Sequence, residues 1–335
     1  MTAEAGSETT AREQAASRDE REVSEVTFLN PFTCGVYKDG GRRYKIDRRT
    51  GRRTEQVDDE LGDQVERFVT GDREVPGLLR VPMEDAFENQ VLVPRYYDQR
   101  YLARFRKLLE REGLEAVSLG ELLDDGIIEV RGGHGSPGND NRTGDIPYIK
   151  VSDIRSLKVN VNPTNLVTET VARSFWRGDS SGLMAWDLIT PNRASSNIGE
   201  FAILLPGEER IVLTKEVFVI RVAPGGTSEV SAEHGFDPFY LLWALCLKAV
   251  REQWQRITLM QTNREDVGQR YREILIPRPP DSEWARKVSA PFRDYFTAVA
   301  NAREQFSRAI SSSGYEYIAS ALTTEEAETE EPREP

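Results

Sequence analysis

Gly144-Asp145-Ile146-Pro147-Tyr148-Ile149-Lys150-Val151-Ser152-Asp153-Ile154 reads as a turn running into a strand and ending at a cap. Tyr148, Ile149 and Val151 carry strand propensity, and Pro147 falls at the strand start, where its missing N–H costs no ladder bond. The residues just ahead, 131–143, contain four glycines, Pro137 and the run Asn139-Asp140-Asn141, which is too polar for a core. Gly126-Ile127-Ile128-Glu129-Val130 supplies a hydrophobic strand before them. Two strands therefore hold an adaptable, hydrogen-bonding loop between them.

Working outward, residues 148–151, 201–205, 211–213 and 217–222 also read as short strands. The last, Val217-Phe218-Val219-Ile220-Arg221-Val222, is nearly continuous in apolar residues, as a strand covered on both faces must be. Asp237-Pro238 gives an N-cap and a first helical residue to a helix running to about residue 257, with Leu241, Leu242, Leu245, Cys246 and Ala249 on one face. Upstream, Tyr101, Phe105 and Leu108 step by four and three before Gly113, which predicts an amphipathic helix over residues 98–113. The expected fold is α+β: a β-rich domain with a short helix bundle at its edge, followed by a long coiled-coil-like helix.

That last helix follows Pro279-Pro280. Trp284, Val288, Phe292, Tyr295, Val299, Ala302, Phe306 and Ile310 step by threes and fours, the spacing of a coiled-coil seam. Pro291 lies inside it and is expected to kink it or divide it in two. Such a seam is longer and more exposed than the preceding domain alone can satisfy.

At 335 residues, with 38% hydrophobic and 30% charged residues, the chain has room for two globular domains. Five regions are expected: a disordered acidic tail over 1–25, a small hairpin-containing region over 26–95, the β-rich domain over 96–280, the helix over 281–318 and a second disordered acidic tail over 319–335. Within residues 26–95, the stretch 28–47 reads as a hairpin around Asp39-Gly40-Gly41, while 55–95 shows no clean periodicity. The net charge of −12 sits mostly in the tails, so it neither forbids nor supports a polyanionic partner. Cys34 and Cys246 match no metal or redox spacing, and no apolar run is long enough to span a bilayer; a cytoplasmic protein with free thiols and no membrane contact is expected.

The strand, loop and strand around residues 126–154 resemble the target recognition domain of type I restriction-modification specificity subunits. Three further pieces match in the same order. Trp186-Asp187-Leu188-Ile189-Thr190-Pro191-Asn192-Arg193-Ala194-Ser195-Ser196-Asn197-Ile198-Gly199 resembles the family's gate segment, Phe236 to Leu245 its helix, and Gln261-Thr262-Asn263-Arg264 through Pro280 its closing strand. The resemblance covers roughly residues 96–310. It implies a non-catalytic chain that binds double-stranded DNA and brings an N6-adenine DNA methylase to its target. S-adenosylmethionine belongs on that partner and no cofactor on this chain, and a restriction or other defence subunit completes the complex. The family carries two recognition domains per chain and this sequence shows one, so the resemblance implies either a homodimer through the seam of Trp284, Val288, Phe292, Tyr295, Val299, Phe306 and Ile310 or the reading of a single half-site. Cys34-Gly35, Tyr44 and Asp47 lie in a segment similar to one found after the catalytic domain of some adenine-N6 methylases.

Base edges are read by arginine at guanine and by asparagine or glutamine at adenine, from loops that a scaffold fixes in place. The gate segment offers Asn192, Arg193, Ser195, Ser196 and Asn197; the loop over 131–143 offers Arg131, His134, Ser136, Asn139, Asn141 and Arg142, with Lys150 beyond it. Gln261, Thr262, Asn263 and Arg264 form a third candidate group, against the plainer reading of a polar loop. Arg173, Trp176 and Arg177 suit stacking and phosphate contact, or equally a core tryptophan between solvated arginines. The basic run Arg42, Arg43, Lys45, Arg48, Arg49, Arg52 and Arg53 is either a phosphate contact or a solvated turn.

Catalytic readings fare worse. The methylase loop Asn/Asp-Pro-Pro-Tyr/Phe has only near misses, Asn30-Pro31-Phe32 and Asp237-Pro238-Phe239-Tyr240, the second explained by helix capping. No Glu-x-Lys pair of a magnesium-dependent nuclease occurs, and His134 and His234 stand a hundred residues apart. The glycines of 132–138 lead into Pro137 and Asn139 rather than into the helix a nucleotide loop needs. The alternative to DNA recognition is a protein-interaction adaptor of a multi-subunit defence complex that reads no bases.

Overall fold

A computed structural model describes residues 24–37, 39–72, 74–193, 195–223, 233–260 and 265–314. The chain is α+β and divides into two compact units, residues 1–99 and 100–335.

In the first unit, β1 (Glu25–Leu29) is followed by β2 (Tyr44–Ile46), β3 (Arg53–Val57), α1 (Glu60–Val69), β4 (Leu78–Pro82), α2 (Met83–Asn89) and α3 (Pro94–Tyr97). β1 pairs antiparallel with β4, and β2 with β3. The hairpin expected over 28–47 is thus redistributed. Its Asp39-Gly40-Gly41 turn forms, with Gly40 at φ +85° and Tyr37 N–H donating to Gly41 O at 2.7 Å, but a single bridge, Val36 to Arg42, spans it. β1 instead finds its partner in 78–82, a stretch of 55–95 whose elements are too short to show periodicity.

The second unit opens with α4 (Arg100–Glu112), which Gly113 ends at φ +64°. β5 (Ala116–Ser118) leads into α5 (Leu119–Asp124), whose first turn is closed by a capping box between Ser118 and Glu121. Then come β6 (Ile128–Gly132), β7 (Ile146–Ile149), β8 (Ile154–Arg155), β9 (Lys158–Val159), β10 (Leu166–Val167), α6 (Glu169–Trp176), β11 (Leu188–Pro191), β12 (Ala202–Ile203), β13 (Val212–Leu213) and β14 (Val217–Val222). The unit closes with α7 (Pro238–Cys246), α8 (Lys248–Ile257), β15 (Leu259–Met260), β16 (Glu265–Asp266), β17 (Leu275–Pro277) and α9 (Ser282–Ser311).

β14 is the central strand. It pairs antiparallel with β11 and β6 in a sheet of order β12-β11-β14-β6, and its two faces enter different cores. Ile220 and Val222 join a cluster with Phe105, Phe239, Leu241, Trp254, Ala285 and Phe296 from the helices, while Val217 and Val219 meet Ile149, Ile154 and Leu213 on the other side. Burial on both faces is why the strand is apolar at every position but Arg221. A second sheet, β10-β7-β13, contains the organising strand β7, with β13 parallel to it.

Two helix expectations are corrected. The helix over 237–257 is two helices, because Leu247 takes extended angles (φ −59°, ψ 130°) between α7 and α8. α7 is buried on nearly every side and α8 on one side only, so a break lets each meet its own surroundings. Conversely, α9 runs unbroken through Pro291, which sits at an exposed position where water can take the carbonyl its missing N–H leaves free. The seam is also rotated. Ala285, Ser289 and Phe296 are buried against this unit's own core with Phe292 and Val299 alongside; Trp284 and Val288 are half-buried, Tyr295 and Phe306 exposed and Ile310 half-buried. The first part of α9 therefore belongs to this domain, fastened by Arg293 on Asp237, and the turns after Val299 bury no residue.

Candidate nucleic-acid interface

Two of the sequence's loop regions meet at one short turn, residues 214–216, between β13 and β14, and a third joins them through the gate. On one side the 131–143 loop is stitched to it: Gly133 N–H donates to Val217 O at 3.1 Å, His134 N–H and Gly135 N–H to Leu213 O at 2.9 and 3.0 Å, and the Ser136 and Thr214 hydroxyls lie 3.3 Å apart. On the other side Asn192 N–H donates to Glu216 O at 3.0 Å, its side-chain amide to Lys215 O at 3.3 Å, and Arg193 pairs with Glu216. The β15–β16 hairpin then joins the gate, through Val267 N–H to Asn192 O at 2.9 Å and a bridge between Arg193 and Asp266. Its tip, with Gln261, Thr262, Asn263 and Arg264, lies outside the described residues.

The candidates divide into those that face outward and those spent on internal bonds. Ser136, Asn139, Asn141, Ser195 and Ser196 are exposed, and Asn192 and Arg193 partly so. Asn197 is buried instead. Its amide donates to Val151 O at 3.0 Å and Ile154 O at 3.1 Å, so it ties the gate to the cap of the organising strand and does not reach a ligand. Arg142 bridges Asn165 Oδ1 (3.1 Å) and Pro137 O (3.0 Å) and lies over the Tyr148 ring, closing its own loop. Lys150 caps locally, its N–H donating to Asp153 Oδ2 at 2.8 Å, with its ammonium 5.9 Å from the Tyr148 ring. Arg131 donates to Gly182 O and stands 3.7 Å from the fully buried Asp187, which Arg221 grips with two bonds of 2.6 Å. Burial and the neighbouring Arg221 charge lower the Arg131 pKa.

For Arg173, Trp176 and Arg177 the core reading prevails at the tryptophan. Trp176 donates to Ile211 O at 2.9 Å and packs against the cluster of Ile146, Tyr148, Val167 and Val212. Arg173 is paired with Glu169 and Asp179, while Arg177 is exposed at the left-handed C-cap of α6. Sequence reading also missed two cations. Lys215 is exposed on the turn between the 131–143 loop and the gate, and exposed Arg155 reaches Ser196 Oγ at 3.5 Å. Lys215 was discernible as the polar break between the apolar runs 211–213 and 217–222; Arg155, just after the organising stretch, carried no pattern of its own.

His134 is a structural pin rather than a ligand. Its Nδ1 accepts from Leu213 N–H at 2.9 Å, and its Nε2–H donates to Ser181 O at 2.9 Å, a set only the neutral ring can make. Burial first, then the nearby Arg131 charge, lower its pKa below the ordinary 6.5. A histidine depressed in the folded state contributes stability above its unfolded pKa, lost as pH falls through about 6.5. His134→Gln is therefore expected to cost stability at pH 7.5 and progressively less toward pH 5.5, with parent and variant converging by no more than about 1.4 kcal/mol per pH unit in urea unfolding. A gap that stayed constant with pH would contradict the neutral-ring assignment.

No family model matches the chain, and no curated protein matches it. Solved structures do. The HsdS subunit from Thermoanaerobacter tengcongensis is similar over 74% of this chain and 62% of its own, with 14% identity and a TM-score of 0.35. A type I restriction-modification S subunit from M. genitalium matches over 61% of this chain and 48% of its own, at 11% identity and a TM-score of 0.33. The type IIG restriction endonuclease BpuSI matches over 69% of this chain and 33% of its own, at 12% identity and a TM-score of 0.39. The chain thus spans less than two thirds of the length of each.

Proposed function

We propose that this chain is a DNA sequence-recognition subunit that contacts a duplex through the loops gathered at residues 214–216 and directs a partner N6-adenine methyltransferase. The convergence of the 131–143 loop and the gate on one turn, with the base of the 259–266 hairpin joined to the gate, carries this reading. A rigid sheet holds them there, and their outward groups are the types that read base edges and phosphates. Asn192 and Arg193 would read bases, the arginine leaving Glu216 for guanine, while Lys215, Arg155 and the serines hold the backbone. The stretch of α9 beyond Val299, with Phe306 and Ile310, would dock the methylase or a second copy, and S-adenosylmethionine would sit on the methylase.

The test is selection from a randomised duplex pool by the chain co-expressed with its methylase. Arg193→Ala is expected to lower discrimination at one base position by about 1–3 kcal/mol, roughly 5- to 150-fold. Lys215→Ala should instead weaken all duplexes alike and reduce the salt slope of binding by about one. The adaptor reading is favoured by one observation, that His134, Arg142 and Asn197 are spent inside the fold. It prevails if Arg193→Ala and the parent select the same pool.

A further inference from the structure

The hairpin of β2 and β3 concentrates charge as no other described segment does. Seven bases, Arg42, Arg43, Lys45, Arg48, Arg49, Arg52 and Arg53, stand within twelve residues against one acid, Asp47, in a chain whose acids outnumber its bases 56 to 44. That acid is used up by the turn itself. Asp47 Oδ1 accepts the N–H groups of Arg49 (2.8 Å) and Thr50 (2.9 Å), Gly51 N–H returns to Asp47 O at 2.8 Å, and Asp47 N–H donates to Arg52 O at 2.9 Å. Gly51 takes the left-handed conformation the turn requires, at φ +68°. The tip is thus ordered before any ligand arrives.

Two of the bases have local tasks: Arg43 pairs with Asp58 at 3.0 Å, and Arg53 stacks on the Tyr44 ring with its guanidinium carbon 3.8 Å from the centroid. Among the described residues, Arg42, Lys45, Arg48, Arg49 and Arg52 have no anionic partner, and all but the half-buried Lys45 are exposed. Like charges held this close repel, and an ordered anionic polymer relieves them most fully, since each contact also releases condensed counterions. Two paired strands are narrow enough to enter a duplex major groove. The positions between the bases are Tyr44, Ile46, Asp47, Thr50 and Gly51, and Ile46 is the one exposed apolar side chain among them, too little apolar surface to sink into a lipid layer.

We infer that the β2–β3 hairpin is a phosphate-binding arm, a sequence-independent contact to duplex DNA made by the tip arginines. It does not depend on base reading by the second unit, because it needs only the backbone charge of the polymer.

The experiment measures full-chain affinity for a random-sequence duplex by fluorescence anisotropy across a potassium chloride series. Arg48→Ala/Arg49→Ala/Arg52→Ala is expected to bind roughly ten- to a hundredfold more weakly at low salt, with the slope of log K against log salt shallower by about two to three, near 0.9 per lost phosphate contact. The charge-preserving Arg48→Lys/Arg49→Lys/Arg52→Lys should keep most of that slope, and the single reversal Arg49→Glu should move it the same way as the alanines, which guards against misfolding. Equal slopes for parent and alanine variant would overturn the inference. So would a parent that binds no duplex, or one that binds phosphatidylserine vesicles through these arginines while duplex affinity is unchanged. Lost base selectivity with this slope change intact would count against the loops of the second unit and leave the arm standing.

Discussion

Asp187→Ala is expected to destabilise the second unit by about 3–5 kcal/mol, the loss typical of breaking a buried, hydrogen-bonded ion pair by removing one partner. Asp187 has no solvent exposure; it accepts two bonds of 2.6 Å from Arg221 and the Met184 N–H at 2.9 Å. Arg221 is on the central strand and only 13% exposed, so its charge would be left with Gly182 O at 3.0 Å and the weaker attraction of Glu129 across the strand pair. Arg131 shares the same carbonyl and the same carboxylate, so its loop would loosen in step. Asp187→Asn keeps one oxygen and the shape and should lose less. Urea unfolding of the three proteins checks the order, and an alanine variant within about 1 kcal/mol of the parent would show that the cluster is not a buried pair in solution.

Gly133→Ala is expected to abolish sequence-selective duplex binding as well as to cost stability. A Cβ at Gly133 would fall on the Thr214 carbonyl oxygen, which is backbone and cannot rotate away. The 131–143 loop would have to lift from the very turn at which the loops meet, with a penalty of about 1–3 kcal/mol or more for overpacking. Gly138, five residues on in the same loop, has nothing within 4 Å of its position and serves as control: Gly138→Ala should bind and unfold like the parent. Equal behaviour of the two variants would separate the loop from the turn.

Much of this architecture could be read from residue order. The doubly covered strand at 217–222 announced itself by its nearly continuous apolar run, and Asp237-Pro238 marked a helix start that the structure keeps, Asp237 Oδ1 accepting Tyr240 N–H at 2.6 Å. What escaped was governed by packing rather than pattern. Nothing in Cys246-Leu247-Lys248 breaks a helix locally; the break follows from α7 being enclosed while α8 is not. Pro291 ordinarily stops a helix, yet its place on the exposed side of α9 made it tolerable. The candidate site shows the same division. Polar residues in a glycine-rich loop suggest contact with a ligand, but His134, Arg142 and Asn197 are turned inward because buried backbone groups, the Leu213 N–H and the Pro137, Val151 and Ile154 carbonyls, need partners. Lys215, at the meeting point, was passed over because one lysine between two strands has no motif.

Amide hydrogen exchange of the full chain, free and bound to a duplex selected with its methylase, tests most directly whether the 131–143 loop, the gate and the turn at which they meet act as one surface. Protection is expected together at residues 133–137, 192–197 and 214–216, with the core of α7 unchanged. Protection confined to one of these segments, or none at any of them while the duplex is bound, would contradict the account.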